Sequence, residues 1–497
     1  LLVYSVLHRL LNIYTLFKIF NILKLHIVSL VFILSIILPY AARGQHQELQ
    51  EKPKIWQSET NKTISDSMTI LGAFTKGTVH GHFRYFFSGT DNTGDLSDYC
   101  ANAVGGGIRF ETANFKGFAM GVSGFYIFNA GSSDLLKKDE STGQSNRYEL
   151  GLFDMDNPTK VGEINRVEEF FIKYQHRYFK ATFGRQLLNT PFINLQDGRM
   201  RPTAASGLWL EFRTKSQHLI QSGLIMGVAP RSTSIWYDTD QSIGVFPAGV
   251  DASGNRSLYP GNVNTKGALL FNYQWQHKQS FNLQFWNIYL DNIFNTSLIQ
   301  LELEKPLANG KYYLGTQSAI QVKVGNGGNS NPNLAYNTNT NNVWIFGGRV
   351  GWKNSKWDHS VNFNHITDSG RYLMPREWGR DYFYTFMPRE RNEGYGDATA
   401  LVLKSTYKVS QSTTSTIMLG NVHLPDVKDF YLNKYGMPSY TQMNMDVRHK
   451  FGGWLQGLEA QLLYVRKWNQ GETYGNSRYV IHKVDMNLVN VVLNFRF

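Results

Sequence analysis

Counted back from Phe497, every second residue is apolar: Phe495, Leu493, Val491 and Val489, with Arg496, Asn494 and Asn490 among the residues between. Successive side chains of a strand point to opposite faces, so this stretch has one greasy face and one wet one. That is the pattern of a strand with lipid on one side and a polar interior on the other. The rest of the chain keeps the rhythm. After Gly77, the residues Val79, Gly81, Phe83 and Tyr85 face one way and His80, His82 and Arg84 the other; Ile108 and Phe110 then alternate with Arg109 and Glu111.

Beyond a Gly- and aromatic-rich run from Phe118 to Phe128, period-two segments lie near 166–176, 178–187, 207–215, 218–229, 266–276, 280–290, 297–304 and 311–324. Others lie near 343–353, 356–366, 397–409, 413–423, 440–451, 457–468 and 480–497. With the first three they predict about eighteen strands, an even number in the range of single-chain barrels, sixteen being the neighbouring count. Short links such as 215–217, 277–279 and 354–356 alternate with long loops at 130–165, 188–206, 229–264, 325–342, 367–395 and 424–439. An all-β, antiparallel up-and-down transmembrane barrel sorts its turns to one rim and its loops to the other. A Greek-key sandwich does not. The expected barrel, residues 76–497, has a lumen too wide for side chains alone to fill.

Ahead of it, residues 25–42 form the only long apolar run, with Lys18 and Lys24 before it and Ala42, Arg43 and Gly44 after it. Residues 1–44 therefore read as a signal peptide cut after Gly44, a retained membrane helix being the other reading. The chain begins with Leu and has no Met before Met68, which leaves the true start open. Residues 45–75 are polar and without period, and read as a periplasmic extension or a short plug.

Removing residues 1–44, which hold four basic and no acidic residues, lowers the formal charge from +12 to +8. Without a lysine-rich stripe or a recognisable nucleic-acid module, that excess fits a basic lumen that concentrates anions. Cys100 is the only cysteine, so no disulfide forms within the chain, and no Cys at the cleavage site marks a lipoprotein.

The most specific stretch runs from Gly184 to Pro202. Pro191 and Pro202 exclude a central strand, and Asp197, Arg199 and Arg201 lie there among apolar residues that favour burial. Such a loop is expected to fold back into the lumen. Here the chain resembles the OprD family of outer-membrane porins, in the version found in Bacteroidetes-type bacteria. The likeness rests on Gly184, Arg185, Gln186, Asn189, Thr190, Pro191, Asp197, Arg199, Met200, Pro202 and Gly207. It extends to residues 81–86, 103–108, 375–380 and 388–394, which are loop and barrel features and carry no catalytic signature.

The resemblance implies a monomeric channel of about eighteen strands narrowed by inward-folded loops. It also implies a ladder of arginines and lysines that leads a substrate carboxylate through the constriction, with acidic groups opposite. Inward parity offers Arg84, Arg109, Arg213, Lys404 and Arg448 for the ladder, joined by Arg199 and Arg201, with Asp197 as the acidic counterpart. A terminal Phe497 resembles the signal by which such barrels are handed to their assembly machinery. The implied partners are outer-membrane lipid, lipopolysaccharide and small hydrophilic solutes, in the bacterial outer membrane.

Physical chemistry supports a ladder independently. A guanidinium stays charged and grips carboxylate with a forked pair of donors, and several grips in series let a solute step onward. The opposing reading is that these arginines only brace the barrel by pairing with Glu111, Glu211 and Asp446. In 367–395, five arginines (Arg371, Arg376, Arg380, Arg389, Arg391) alternate with Asp368, Glu377, Asp381, Glu390 and Glu393, which reads as a folded, ion-paired lid. Its aromatics Trp378, Tyr382, Phe383, Tyr384 and Phe386 would give it a packed body.

His80 and His82 share a strand face, yet without a third ligand nearby they read as lumen lining. The glycines 105–107 lack the strand-then-helix setting of a nucleotide loop, and no phosphate loop, zincin motif or nucleophile elbow is present. No cofactor is expected. The expected function is passive, partly selective diffusion of amino acids, small peptides, organic acids or sugars. The other readings are a non-conducting barrel serving a surface secretion or adhesion complex, and a barrel-type outer-membrane hydrolase.

Overall fold

The computed structural model describes residues 53–56, 66–157, 164–195, 199–278 and 280–497. The expected signal peptide, most of the polar extension, and Asp197 lie outside the described residues.

Eighteen long strands among the described residues form the wall. They are β1 (Thr78–Asp91), β2 (Tyr99–Glu111), β3 (Phe118–Ser132), β4 (Ile164–His176), β5 (Phe179–Gln186) and β6 (Ala204–Arg213). Next come β7 (His218–Ala229), β8 (Ala268–His277), β9 (Phe281–Leu290), β10 (Phe294–Leu307), β11 (Gly310–Lys323) and β12 (Val343–Lys353). The last are β13 (Trp357–Ile366), β14 (Ala398–Lys408), β15 (Thr413–His423), β16 (Tyr440–Lys450), β17 (Leu458–Asn469) and β18 (Met486–Arg496). Each pairs antiparallel with the next, and β18 returns to β1 from Arg496 opposite His82 to Asn487 opposite Asp91. The sheet closes. Closure leaves no edge of unpaired backbone groups, which is what lets strands cross a hydrocarbon layer.

The expected strands at 218–229, 343–353 and 413–423 coincide with β7, β12 and β15. Alternation is uninterrupted there and the links are short. The last strand begins at Met486, not near 480. His482 (φ 55°) and Asp485 (φ 50°) are in the left-handed region, which a continuing strand does not accommodate. His482 is instead tied to Asn92, whose Oδ1 accepts its backbone N–H at 2.9 Å.

The two faces differ as the alternation requires. Phe83, Phe170, Phe183, Leu224, Phe271, Leu314, Phe346, Phe363, Leu401 and Leu419 point outward and are exposed, an apolar belt suited to acyl chains. Asn272, Asn362, Asn364, Gln442, Asn444 and Asn490 point inward and are buried. Aromatic pairs flank the belt near the short-turn rim, Trp357 on Tyr407 at 4.2 Å and Trp275 on Phe281 at 5.1 Å between ring centroids.

At β4 the alternation breaks. Ser123 of β3 pairs with Glu169 and Gly124 with Val167, so Glu168 is the extra residue of a β-bulge. Both carboxylates are consequently buried. Before β1, Asp66–Ser67 pairs in parallel with Asn114–Phe115 in the turn that follows β2, and a short helix α1 (Ile70–Thr75) follows. Phe74 of α1 stacks on the outward Phe110 at 6.3 Å, with Ile70 and Leu71 exposed beside it.

Candidate functional site: the loop-filled lumen

The loop between β13 and β14 crosses the interior. At one end Gln321 of β11 bonds both backbone groups of Leu373. Gln317, also of β11, donates to the Tyr382 carbonyl at 2.9 Å. At the other end the Pro388 carbonyl accepts from Gln442 and Asn444 of β16. There Glu390 pairs with Lys467 of β17, and Arg389 donates to Asn490 of β18. The loop thus ties together strands on nearly opposite walls. Its body is the predicted aromatic pack, with Trp378, Tyr382 and Phe383 buried.

A second inward loop, between β5 and β6, locks onto the first. Asn194 donates through Nδ2 to the Arg380 carbonyl at 2.9 Å and accepts the Arg380 N–H at 3.1 Å. That approach needs Gly379 (φ 150°), since a β-carbon there would sit 2.5 Å from Asn194 Oδ1. Thr190, next to Pro191, accepts the N–H groups of Phe192 and Ile193 and sharpens the turn. Phe192 then packs edge-on to Tyr382. The Thr203 hydroxyl donates to the Glu377 carbonyl at 2.6 Å.

Several sequence-predicted residues are engaged by carboxylates. Arg201 grips Glu168 through Nε at 2.8 Å to each oxygen, and its Nη1 lies 3.0 Å from His82 Nδ1. Arg166 joins the same carboxylate at 3.2 Å. Arg109 pairs with Glu111 and Glu169, and Arg448 with Asp446 at 2.8 Å. Arg213 stands at the short-turn rim, 66% exposed, 3.7 Å from Glu211. Glu111, Asp446 and Glu211 are the bracing partners expected from the sequence. Lys404 is half-buried on the inward face of β14. Arg199 is buried, its guanidinium 6.0 Å from the Tyr148 ring.

Arg84 differs from these. Among the described residues no carboxylate pairs with it, and its guanidinium lies over Phe86 at 5.5 Å. Arg389 approaches the same ring at 5.8 Å, and Arg496, Arg201, the carboxylate of Glu459 and Arg448 are all near enough to act on Arg84 through their charge. Parity reading passed over Arg349 and Lys467, although both obey the inward rule. Arg349 pairs with Glu302 at 2.8 Å between Tyr313 and Tyr384. Lys467 is fully buried on Glu390. Glu168 carried no alternation signal, because a bulge placed it.

Loop carboxyls in this interior are shifted by burial. Asp381 is pushed up to about 6 because it is buried, with Arg391 and the Asn392 N–H opposing the shift. Glu149 is also raised by burial, although Thr90, Asn146 and Ser88 hydrogen-bond to it. Lys434 is lowered by burial against the pull of Glu393. Its ammonium sits 4.9 Å from both the Tyr259 and Tyr336 rings, which fastens three loops together.

Neither a protein-family model nor a curated protein matches the chain by sequence. Solved structures match it by shape. The outer membrane protein OpdK from Pseudomonas aeruginosa superposes with a TM-score of 0.65 at 10% identity, covering 86% of this chain and 100% of that one; OpdK has also been solved with vanillate. OccAB4 of Acinetobacter baumannii gives 0.66 at 13% identity, covering 85% and 98%. OccD3 (OpdP) of Pseudomonas aeruginosa gives 0.64 at 11%, covering 86% and 92%. This chain is therefore a closed eighteen-stranded antiparallel barrel with the fold of these proteins.

Proposed function

We propose that the protein is a porin of the OprD type. It sits in the bacterial outer membrane and passes small hydrophilic solutes passively, with a preference for anions. The observation that carries this reading is the pairing of an outward apolar belt with an interior where Arg84, Arg201, Arg389 and Arg448 gather around inward-folded loops. A wide barrel without such loops would sieve by size alone. Guanidiniums at a narrowing favour carboxylates and other anions over cations. Arg84 and Arg389, which share the Phe86 ring, are the leading pore residues, and we assign Arg199, Arg201 and Asp197 of the β5–β6 loop to the same role from the sequence. We further propose a cleaved signal peptide at residues 1–44, delivery to the assembly machinery through Phe497, lipopolysaccharide contact at the long-loop rim and a monomeric state.

The test is single-channel recording of the protein in a planar bilayer under a salt gradient. Discrete steps with a reversal potential on the anion side support the channel. One observation favours a second reading. The β13–β14 loop is bonded to strands on nearly opposite walls, a crossing that suits an occluded scaffold barrel. A folded, heat-modifiable protein that inserts and stays silent at all voltages would move the assignment there.

A further inference from the structure

Residues 53–56 lie inside the barrel, although they precede its first strand. Trp56 is 7% exposed and packs with Phe86, Phe125, Leu152, Phe153 and Met200, with Ile55 alongside. The Arg201 guanidinium lies 4.5 Å from the Trp56 ring and 4.2 Å from the Phe125 ring. His82 meets the indole edge-on at 6.4 Å. Asp66–Ser67 pairs with the turn after β2 at the short-turn rim, and α1 lies against the outer wall there.

Two features make this seat one that can be filled and vacated. Arg201 is held by Glu168 and His82, not by Trp56, so the shelf persists when the indole leaves. The indole Nε1–H is buried without an acceptor among the described residues, so the ring is held by its faces and edge alone. Stacking on a cation gives attraction with little directional constraint. Resting on the channel reading above, we propose that Trp56 is a built-in stopper: the segment ahead of the barrel seats its indole on Arg201 and narrows the pore at rest.

The test uses the full chain with Cys100 changed to Ser, in lipid. Ile55→Cys is labelled with a membrane-impermeant thiol reagent beside Trp454→Cys, whose site on a short-turn rim is 91% exposed. With the segment seated, Ile55→Cys reacts about tenfold or more slowly than Trp454→Cys, and adding Trp56→Ala removes most of that protection. In the bilayer, Trp56→Ala raises single-channel conductance by about twofold while the folded gel mobility is kept. Ile55→Cys reacting as fast as Trp454→Cys overturns the seat, whatever the currents do. Equal conductance in Trp56→Ala and the parent overturns the stopper while leaving the channel intact. If both are silent, the channel reading falls and the stopper with it, while the labelling still reports where the segment lies.

Discussion

Arg201 shows how much one buried guanidinium can hold in place. It joins the β5–β6 loop to β4 through Glu168, to β1 through His82 and to β3 through the face of Phe125. Breaking a buried pair strands the surviving charge, which costs about 3–5 kcal/mol. Arg201→Met should therefore lower the temperature at which the barrel loses its folded gel mobility, and Glu168→Gln, which leaves two guanidiniums unmatched, should do the same. Arg84 forms no such ion pair among the described residues, so Arg84→Gln should leave that temperature nearly unchanged and shift the reversal potential toward cations. Asp381 gives a pH signature. Its carboxyl sits near 6 in the folded chain, above its usual value near 4, so the fold favours the protonated form. Stability is unaffected by this group at pH below about 4 and falls as pH rises toward about 6, by up to about 3 kcal/mol. Asp381→Asn should flatten that part of the melting-temperature profile.

At the scale of elements, the β13–β14 loop behaves as a small folded body within the wall. Trp378 is its fully buried centre and donates through Nε1 to the Ser242 hydroxyl at 2.9 Å. Trp378→Ala should cost about 3–5 kcal/mol, taken from loop packing more than from strand pairing. The expected result is fast proteolytic cutting within 367–397 while β-sheet circular dichroism is retained. Strands such as β7 and β12 were legible because one face meets an apolar medium and the other a polar one, which writes a period of two into the residues. The inward course of the β5–β6 loop was legible from Pro191, Pro202 and the apolar residues around the arginines. Partners across the lumen were not. Glu168 reaches Arg201 only through a bulge, and Lys467 meets Glu390 from 77 positions away; neither leaves a local pattern. The expected strand start near 480 failed for the related reason that a loop contact, Asn92 to His482, overrides alternation.

The whole molecule is a wall with two solvents, and its integrity depends on the seam between β18 and β1. There the Phe497 ring fills the space beside Gly81, where a β-carbon would lie 2.1 Å from the ring. The Gly81 N–H also bonds the Phe497 carbonyl at 2.9 Å. Gly81→Val should push the ring out and destabilise the seam by about 1–3 kcal/mol, read as a lower melting temperature. Charge acts at this scale too. Screening lengths shrink from about 10 Å at 0.1 M salt to about 3 Å at 1 M, so anion preference should decline steeply as salt is raised.

The bulge at Glu168 also bears on how such a barrel can change through insertion and deletion. An extra residue in a strand interior shifts every side chain on one side of it to the other face, unless a bulge absorbs it. In β4 the bulge does absorb it, and the added residue is the carboxylate that anchors the constriction loop. Loss of that single codon would restore an uninterrupted ladder and leave both ends of β4 facing as before. The barrel wall and its internal anchor are thus separable by one deletion, so a lineage could release the loop without rebuilding the sheet.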